Sequence, residues 1–172
     1  KMPAKNPLAF FATPAPIADR LVARADLEPD MQILEPSAGD GAICDAIRRI
    51  LPVPWLTTIE LDPRRAATLQ SKGYQPHEID FLSYRSLMQF EAILMNPPFA
   101  VAGDPLAYIT HIEHAVSMLS PWGILVAIAP PSFTYRSDRR SSAFRAMVET
   151  RGGWEALPEN AFTASGTEVS TV

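Results

Sequence analysis

The segment Ile33-Leu34-Glu35-Pro36-Ser37-Ala38-Gly39-Asp40-Gly41 decides the fold. From Met31 to Ser37 the chain reads as a buried strand, and Ala38-Gly39-Asp40-Gly41 reads as a glycine turn. From Ala42 to Leu51 a helical pattern sets Ile43, Ile47 and Ile50 on one face. The same unit recurs outward from this point. Trp55 to Leu61 reads as a strand, Asp62-Pro63 as a helix start with proline at its first position, and Arg64 to Ser71 as a helix stopped near Gly73. Further strands are expected over Glu78 to Phe81, Phe90 to Met95 and Gly123 to Ala129. A helix over Leu106 to Leu119 turns Ile109, Ile112, Val116 and Leu119 inward. Alternation of this kind implies a mostly parallel sheet covered by helices on both sides, with binding at the carboxyl ends of the strands.

Composition bounds the possibilities. The 172 residues are 47% hydrophobic and 20% charged, which fits one globular domain with a real core. A formal charge of -4 excludes a surface that binds polyanions everywhere, so any nucleic-acid contact is local. The longest apolar run, Ile124 to Ala129, falls far short of the roughly 20 residues that cross a bilayer, and no charged and apolar leader opens the chain; a cytoplasmic protein is expected. One cysteine, Cys44, excludes an internal disulfide and a cysteine-based zinc cluster. The 17 prolines are about twice the usual ~5% share, and most stand where a strand or helix begins or ends.

Four polar or glycine-bearing segments fall at successive strand ends. In Glu35-Pro36-Ser37-Ala38-Gly39-Asp40-Gly41, the glycines allow a tight turn and close approach of a ligand to the backbone. The third glycine of a dinucleotide fingerprint is missing and Asp40 would repel a pyrophosphate, which disfavours nicotinamide and flavin dinucleotides. Glu60 follows about 20 residues later, where a carboxylate can accept ribose hydroxyls; Asp62 reads mainly as a helix cap. Asp80 could accept the amino group of an adenine, although alone it would be an ordinary turn residue. Asn96-Pro97-Pro98-Phe99 is the sharpest of the four, because two prolines after a buried strand fix an amide and an aromatic ring at the pocket mouth.

Asn96-Pro97-Pro98-Phe99 resembles the Asn/Asp-Pro-Pro-aromatic signature of S-adenosylmethionine-dependent amino-methyltransferases. Ile33 to Gly41 resembles the cofactor motif of their adenine-specific DNA members. Phe10-Phe11-Ala12-Thr13-Pro14-Ala15-Pro16 resembles the segment that precedes the glycine motif in the gamma order of these enzymes, and Asn160-Ala161-Phe162 through Val172 resembles their late hairpin. The resemblance implies a Rossmann-like class I methyltransferase fold: an α/β domain with a mostly parallel seven-stranded sheet and helices on both faces. Residues 1–172 would be one catalytic domain without a separate target-recognition domain, and S-adenosylmethionine the cofactor. Thr13, Glu35, Gly39 and Gly41 would meet its methionine moiety with Pro36 and Ser37 in the same loop. Glu60, with Leu61 beside it, would hold the ribose, Asp80 and Phe81 the adenine, and Asn96 would also touch the cofactor.

The same resemblance makes Asn96, Pro97, Pro98 and Phe99 the catalytic turn, with Phe99 and Phe162 walling the target base; Phe99 stands where tyrosine is common. The implied activity is methylation of the N6 amine of adenine in DNA, of the restriction-modification kind, on a flipped or single-stranded base. A separate specificity subunit is a candidate partner. An rRNA base amine, a protein glutamine amide, and a non-catalytic subunit of a modification complex are the alternatives. Between Ser132 and Arg151, five arginines face two carboxylates, so Arg136, Arg139 and Arg140 are candidate phosphate contacts, weighed evenly against a solvated helix start. His111 and His114 read as packing or surface residues of a helix, and no metal site is expected.

Overall fold

The computed structural model describes residues 11–158 and Ala161. Its elements are α1 (Ala15–Ala25), β1 (Gln32–Glu35), α2 (Ala42–Ile50), β2 (Trp55–Thr58), α3 (Pro63–Ser71), β3 (Phe90–Met95), α4 (Ala107–Val116), β4 (Leu119–Ala127) and α5 (Arg139–Arg151). The strands form one parallel sheet in the order β2-β1-β3-β4. Residues Gln32 to Glu35 pair with Trp55 to Thr58 on one side of β1, and Ile33 and Leu34 pair with Ala92 and Ile93 on the other. The chain therefore leaves β1 in one direction and returns past it for β3. This reversal opens a crevice at the carboxyl ends of β1 and β3.

Strand alternation sorts the core into two layers. Ile33, Ala92 and Leu94 pack with Ile17, Leu21 and Val22 of α1 and Ile43 and Ile47 of α2. Leu34, Ile93 and Met95 point the other way, toward Tyr108, Ile109 and Ile112 of α4 and Phe144 of α5. Both faces of the central strands are thus buried, as parallel crossovers require.

Two expectations, the strand over Glu78 to Phe81 and the start of β4, are corrected. Glu78 to Phe81 is not a strand: a single parallel bridge joins Ile59 to His77, and the Asp80 carboxylate then accepts the Leu82 N–H at 3.0 Å and starts a short 3₁₀ turn over Phe81–Ser83. The side chain has offered the backbone an alternative to the ladder. The sheet has four strands among the described residues, and the late hairpin expected from Asn160 onward falls largely outside them. β4 starts earlier than Gly123, at Leu119, because an irregularity lets Leu119 pair with Phe90 before Ile124 pairs with Ala92, with Trp122 bent to φ 71°. Two helices extend the expectations: α1, which starts at the end of the Phe10–Pro16 segment, and α5, whose start is capped by Asp138 accepting the Ser141 N–H at 3.0 Å.

The turn from β1 to α2 depends on Gly41, which has φ +91° and where an added Cβ would lie 2.9 Å from Leu69 Cδ2. Strain and crowding act together there. Gly41→Ala is expected to lower the stability of the domain by ~1–3 kcal/mol, read as a lower midpoint in urea denaturation; an unchanged midpoint would show that the turn is adaptable.

Candidate functional site

The crevice at the reversal is a cavity of about 330 Å³. Its walls include Pro36, Ser37, Gly39 and Asp40 after β1, Glu60 and Leu61 after β2, Ile79 to Leu82, and Asn96, Pro97 and Pro98 after β3. Phe11 and Thr13, just before α1, close one end, and His111 of α4 lines the wall as well. The segments after β1, β2 and β3, distant in sequence, thus meet because each follows a strand of the same parallel sheet.

Glu60 ties two of these segments together. Its carboxylate, 5% exposed, accepts the Gly39 N–H at 2.8 Å through Oε2, and through Oε1 the Asp62 N–H at 2.7 Å and Arg65 Nε at 3.1 Å. Arg65 Nη2 also lies 3.0 Å from Oε1, whereas among the described residues Oε2 accepts the Gly39 N–H alone, so the acceptor capacity open to a further donor is on Oε2. Asp62 takes the capping role read from the sequence, accepting the Arg64 N–H at 2.8 Å at the start of α3. Leu61 is half exposed and forms an apolar wall beside Glu60.

At the other end the Asn96 side chain is held in one orientation. Its Nδ2 donates to the Phe11 carbonyl oxygen and to Thr13 Oγ1, each at 3.1 Å. A backbone carbonyl only accepts, so the amide cannot be turned round, and Oδ1, in a residue that lines the cavity, has no partner among the described residues. The Ser37 hydroxyl reaches the Asn96 carbonyl oxygen at 3.1 Å, which fastens the glycine loop to the turn after β3. Phe11 and Phe99 lie with ring centroids 6.1 Å apart, tilted by 37°, and so place two aromatic faces beside Asn96.

The remaining candidates divide. Thr13, Pro36, Ser37, Gly39, Glu60, Leu61, Asp80, Phe81, Asn96, Pro97 and Pro98 are brought to the cavity. Glu35, Gly41 and Phe99 are not on its walls: Glu35 lies fully buried beneath them, Gly41 turns the chain against Leu69, and Phe99 packs half-buried beside Phe11. Arg136 pairs with Asp138 at 2.8 Å, and Arg140 with Asp104 at 3.0 Å and Thr110 Oγ1 at 2.8 Å, so both hold the fold together. Arg139 is exposed, with no ion pair among the described residues. Phe162 and the hairpin segment around it lie outside the described residues. Phe11 and His111 were not singled out as site residues from the sequence, since an aromatic before a helix and a histidine on an apolar helix face carry no spacing signal. Among the described residues no helix is long and apolar enough to cross a membrane.

Comparison with known proteins gives the same architecture. No family model matches the chain. It is similar to modification methylase CviBIII of Paramecium bursaria Chlorella virus NC1A, 29% identical over 104 residues that cover 56% of this chain and 27% of that protein. It superposes on the methyltransferase subunit of a type I restriction-modification system from Streptococcus thermophilus with a TM-score of 0.74 at 19% identity, over 94% of this chain and 43% of that one. A class I S-adenosylmethionine-dependent methyltransferase from Listeria monocytogenes gives a TM-score of 0.70 at 15% identity, over 93% and 58%. The chain thus has the class I methyltransferase fold, and it spans about a quarter of the length of the matched methylase.

Glu35 also has a measurable consequence. Burial pushes its carboxyl up from 4.5 to about 8 despite the hydrogen bonds from the Ser37 N–H and hydroxyl, and Oε2 has no partner. Between those values the folded chain keeps a proton that the unfolded chain releases, so this residue's contribution makes stability fall as pH rises from about 5 to 8. Glu35→Gln keeps the shape and removes the titration. The stability difference between Glu35→Gln and wild type should shift in the variant's favour over that range, by at most ~1.4 kcal/mol per pH unit. Denaturation at pH 5 and pH 8 checks it, and parallel pH profiles would contradict it.

Proposed function

We propose that the chain is the catalytic core of an S-adenosylmethionine-dependent DNA methyltransferase that modifies the N6 amine of adenine. The single observation that carries this reading is the fixed Asn96 amide, on the cavity wall with two prolines and the glycine loop, whose Oδ1 has no partner among the described residues. The cavity residues suit the cofactor: a buried carboxylate with one acceptor site open for a ribose hydroxyl, a glycine turn at a helix start, and a half-exposed leucine as an apolar wall.

Bound there, S-adenosylmethionine would supply a methyl group made electrophilic by its sulfonium. The chain's own residues then have to make an exocyclic aromatic amine nucleophilic. Asn96 Oδ1 and the Pro97 carbonyl accept its two N–H bonds and return electron density to the nitrogen, without needing a strong base. Phe11 and Thr13 hold the amide so that Oδ1 is aimed before the acceptor arrives, which removes a reorganisation cost. Phe99 offers a face for the target base, at ~1–3 kcal/mol of stacking, to which a missing hydroxyl makes no difference. A base must leave the duplex stack to reach the site. Adenine in DNA is supported by the likeness to a modification methylase and to a restriction-modification subunit, and by the wording of the Glu35-Pro36-Ser37-Ala38 segment. Since Arg136 and Arg140 serve ion pairs within the fold, Arg139 is left as the phosphate contact of the three, and a separate specificity subunit is assigned the recognition of sequence.

Incubation with methyl-labelled S-adenosylmethionine and separation of DNA, RNA and protein tests the proposal. Label is expected in DNA as N6-methyladenine, whereas label in rRNA guanine or in protein glutamine would overturn the acceptor. Asn96→Ala should lower kcat at least ~100-fold with cofactor affinity close to that of wild type. Thr13→Val should lower kcat by a smaller factor that Thr13→Ser restores. Near-native transfer by Asn96→Ala would contradict the role given to this amide.

A further inference from the structure

His111 belongs to none of the sequence motifs, yet it is one of the few polar residues buried in the fold, at 7% exposure, and it lines the cavity. Its Nδ1 lies 2.8 Å from the Ala107 carbonyl oxygen one helical turn earlier. Because that carbonyl only accepts, Nδ1 carries the proton and Nε2 of the neutral ring is a bare lone pair. Burial lowers the His111 pKa further below its ordinary value, which keeps the ring neutral at physiological pH. The ring is fixed against Phe81, with centroids 6.0 Å apart, and Phe81 is itself set edge-on to His114 at 4.8 Å. No described residue bonds to Nε2.

The charge of Asp80 acts on His111, and both residues line the cavity. Oδ1 of Asp80 caps the turn at Leu82, and Oδ2 has no partner among the described residues. Asp80 and His111 thus bring two hydrogen-bond acceptors to a cavity that the apolar Ile79, Phe81 and Leu82 also line, with Phe81 against the His111 ring. Their complement is a flat heterocycle bearing an exocyclic amine, which has two N–H bonds to give. A ring carrying a carbonyl at the same position would set lone pair against lone pair, and a site built to accept rejects such an analogue strongly.

We propose that Nε2 of His111, together with the Asp80 carboxylate, receives the exocyclic amino group of the cofactor's adenine, and so selects an adenosyl over an inosyl cofactor. The inference rests on reading the cavity as the S-adenosylmethionine site, and it makes His111 a specificity residue for the cofactor base and not a member of the catalytic turn.

The test compares binding of S-adenosylhomocysteine with that of S-inosylhomocysteine, in which a carbonyl oxygen replaces the amine, by calorimetry on the full chain. Wild type should prefer the adenosyl compound by about ten- to a hundredfold. His111→Leu should shrink that ratio by about tenfold, chiefly by weakening the adenosyl compound. A merely structural role would weaken both ligands alike and leave the ratio unchanged, which would overturn the proposal. A readout without substitution guards against misfolding of the variant. In nitrogen-15-labelled wild type, the His111 Nε2 resonance should move upfield on addition of S-adenosylhomocysteine and stay in place with the inosyl compound, and equal shifts would also overturn it. Wild type that binds both compounds equally well refutes the role of His111 while the cofactor reading stands, whereas wild type that binds neither refutes the cofactor reading and this inference with it.

Discussion

The parallel pairing of β1 with β2 on one side and β3 on the other is the constraint on which the rest depends. Parallel strands align all their carboxyl ends on one edge, and the return of the chain past β1 separates the loops that follow β1 and β3. Residues far apart in sequence, such as Gly39 and Glu60 or Thr13 and Asn96, come within hydrogen-bond distance only because of this arrangement. Burial of Ile33 and Leu34 on opposite faces of one short strand fixes its register, since a slip by one residue would exchange the two core layers.

Two glutamates show how environment divides roles among similar residues. Glu60 is satisfied by two backbone N–H groups and Arg65, and it stays at the cavity wall with acceptor capacity to share. Glu35 is buried with one oxygen unpartnered and its carboxyl is pushed up to about 8, so it supports the loop from beneath as a neutral acid in the free protein. Placement one strand end apart would suggest equivalent duties, but hydrogen-bond supply decides otherwise.

Legibility in the sequence followed the physics of each element. β3 was readable to its bounds, because an apolar run stopped by Asn96-Pro97-Pro98 leaves no other reading. The turn into α2 and the cap at Asp62 were readable for similar reasons: glycine, proline and a capping carboxylate act through local geometry. The strand expected at Glu78–Phe81 failed because the Asp80 side chain captures a local N–H, a competition that alternation patterns do not register. Of the site, the loops at strand ends were legible and the partners were not. Nothing in the spacing shows that Phe11 would orient Asn96, that Asp104 would engage Arg140, or that His111 would turn toward a cavity from a helix otherwise devoted to core packing.

A crystal structure of the complex with S-adenosylhomocysteine tests the central claim most directly. The account predicts the nucleoside in the crevice between β1 and β3, with a ribose hydroxyl on the Glu60 carboxylate, the adenine beside Asp80 and the sulfur end toward Thr13 and Asn96. Binding outside this crevice, or in the reverse direction with the adenine beside Asn96, would contradict it.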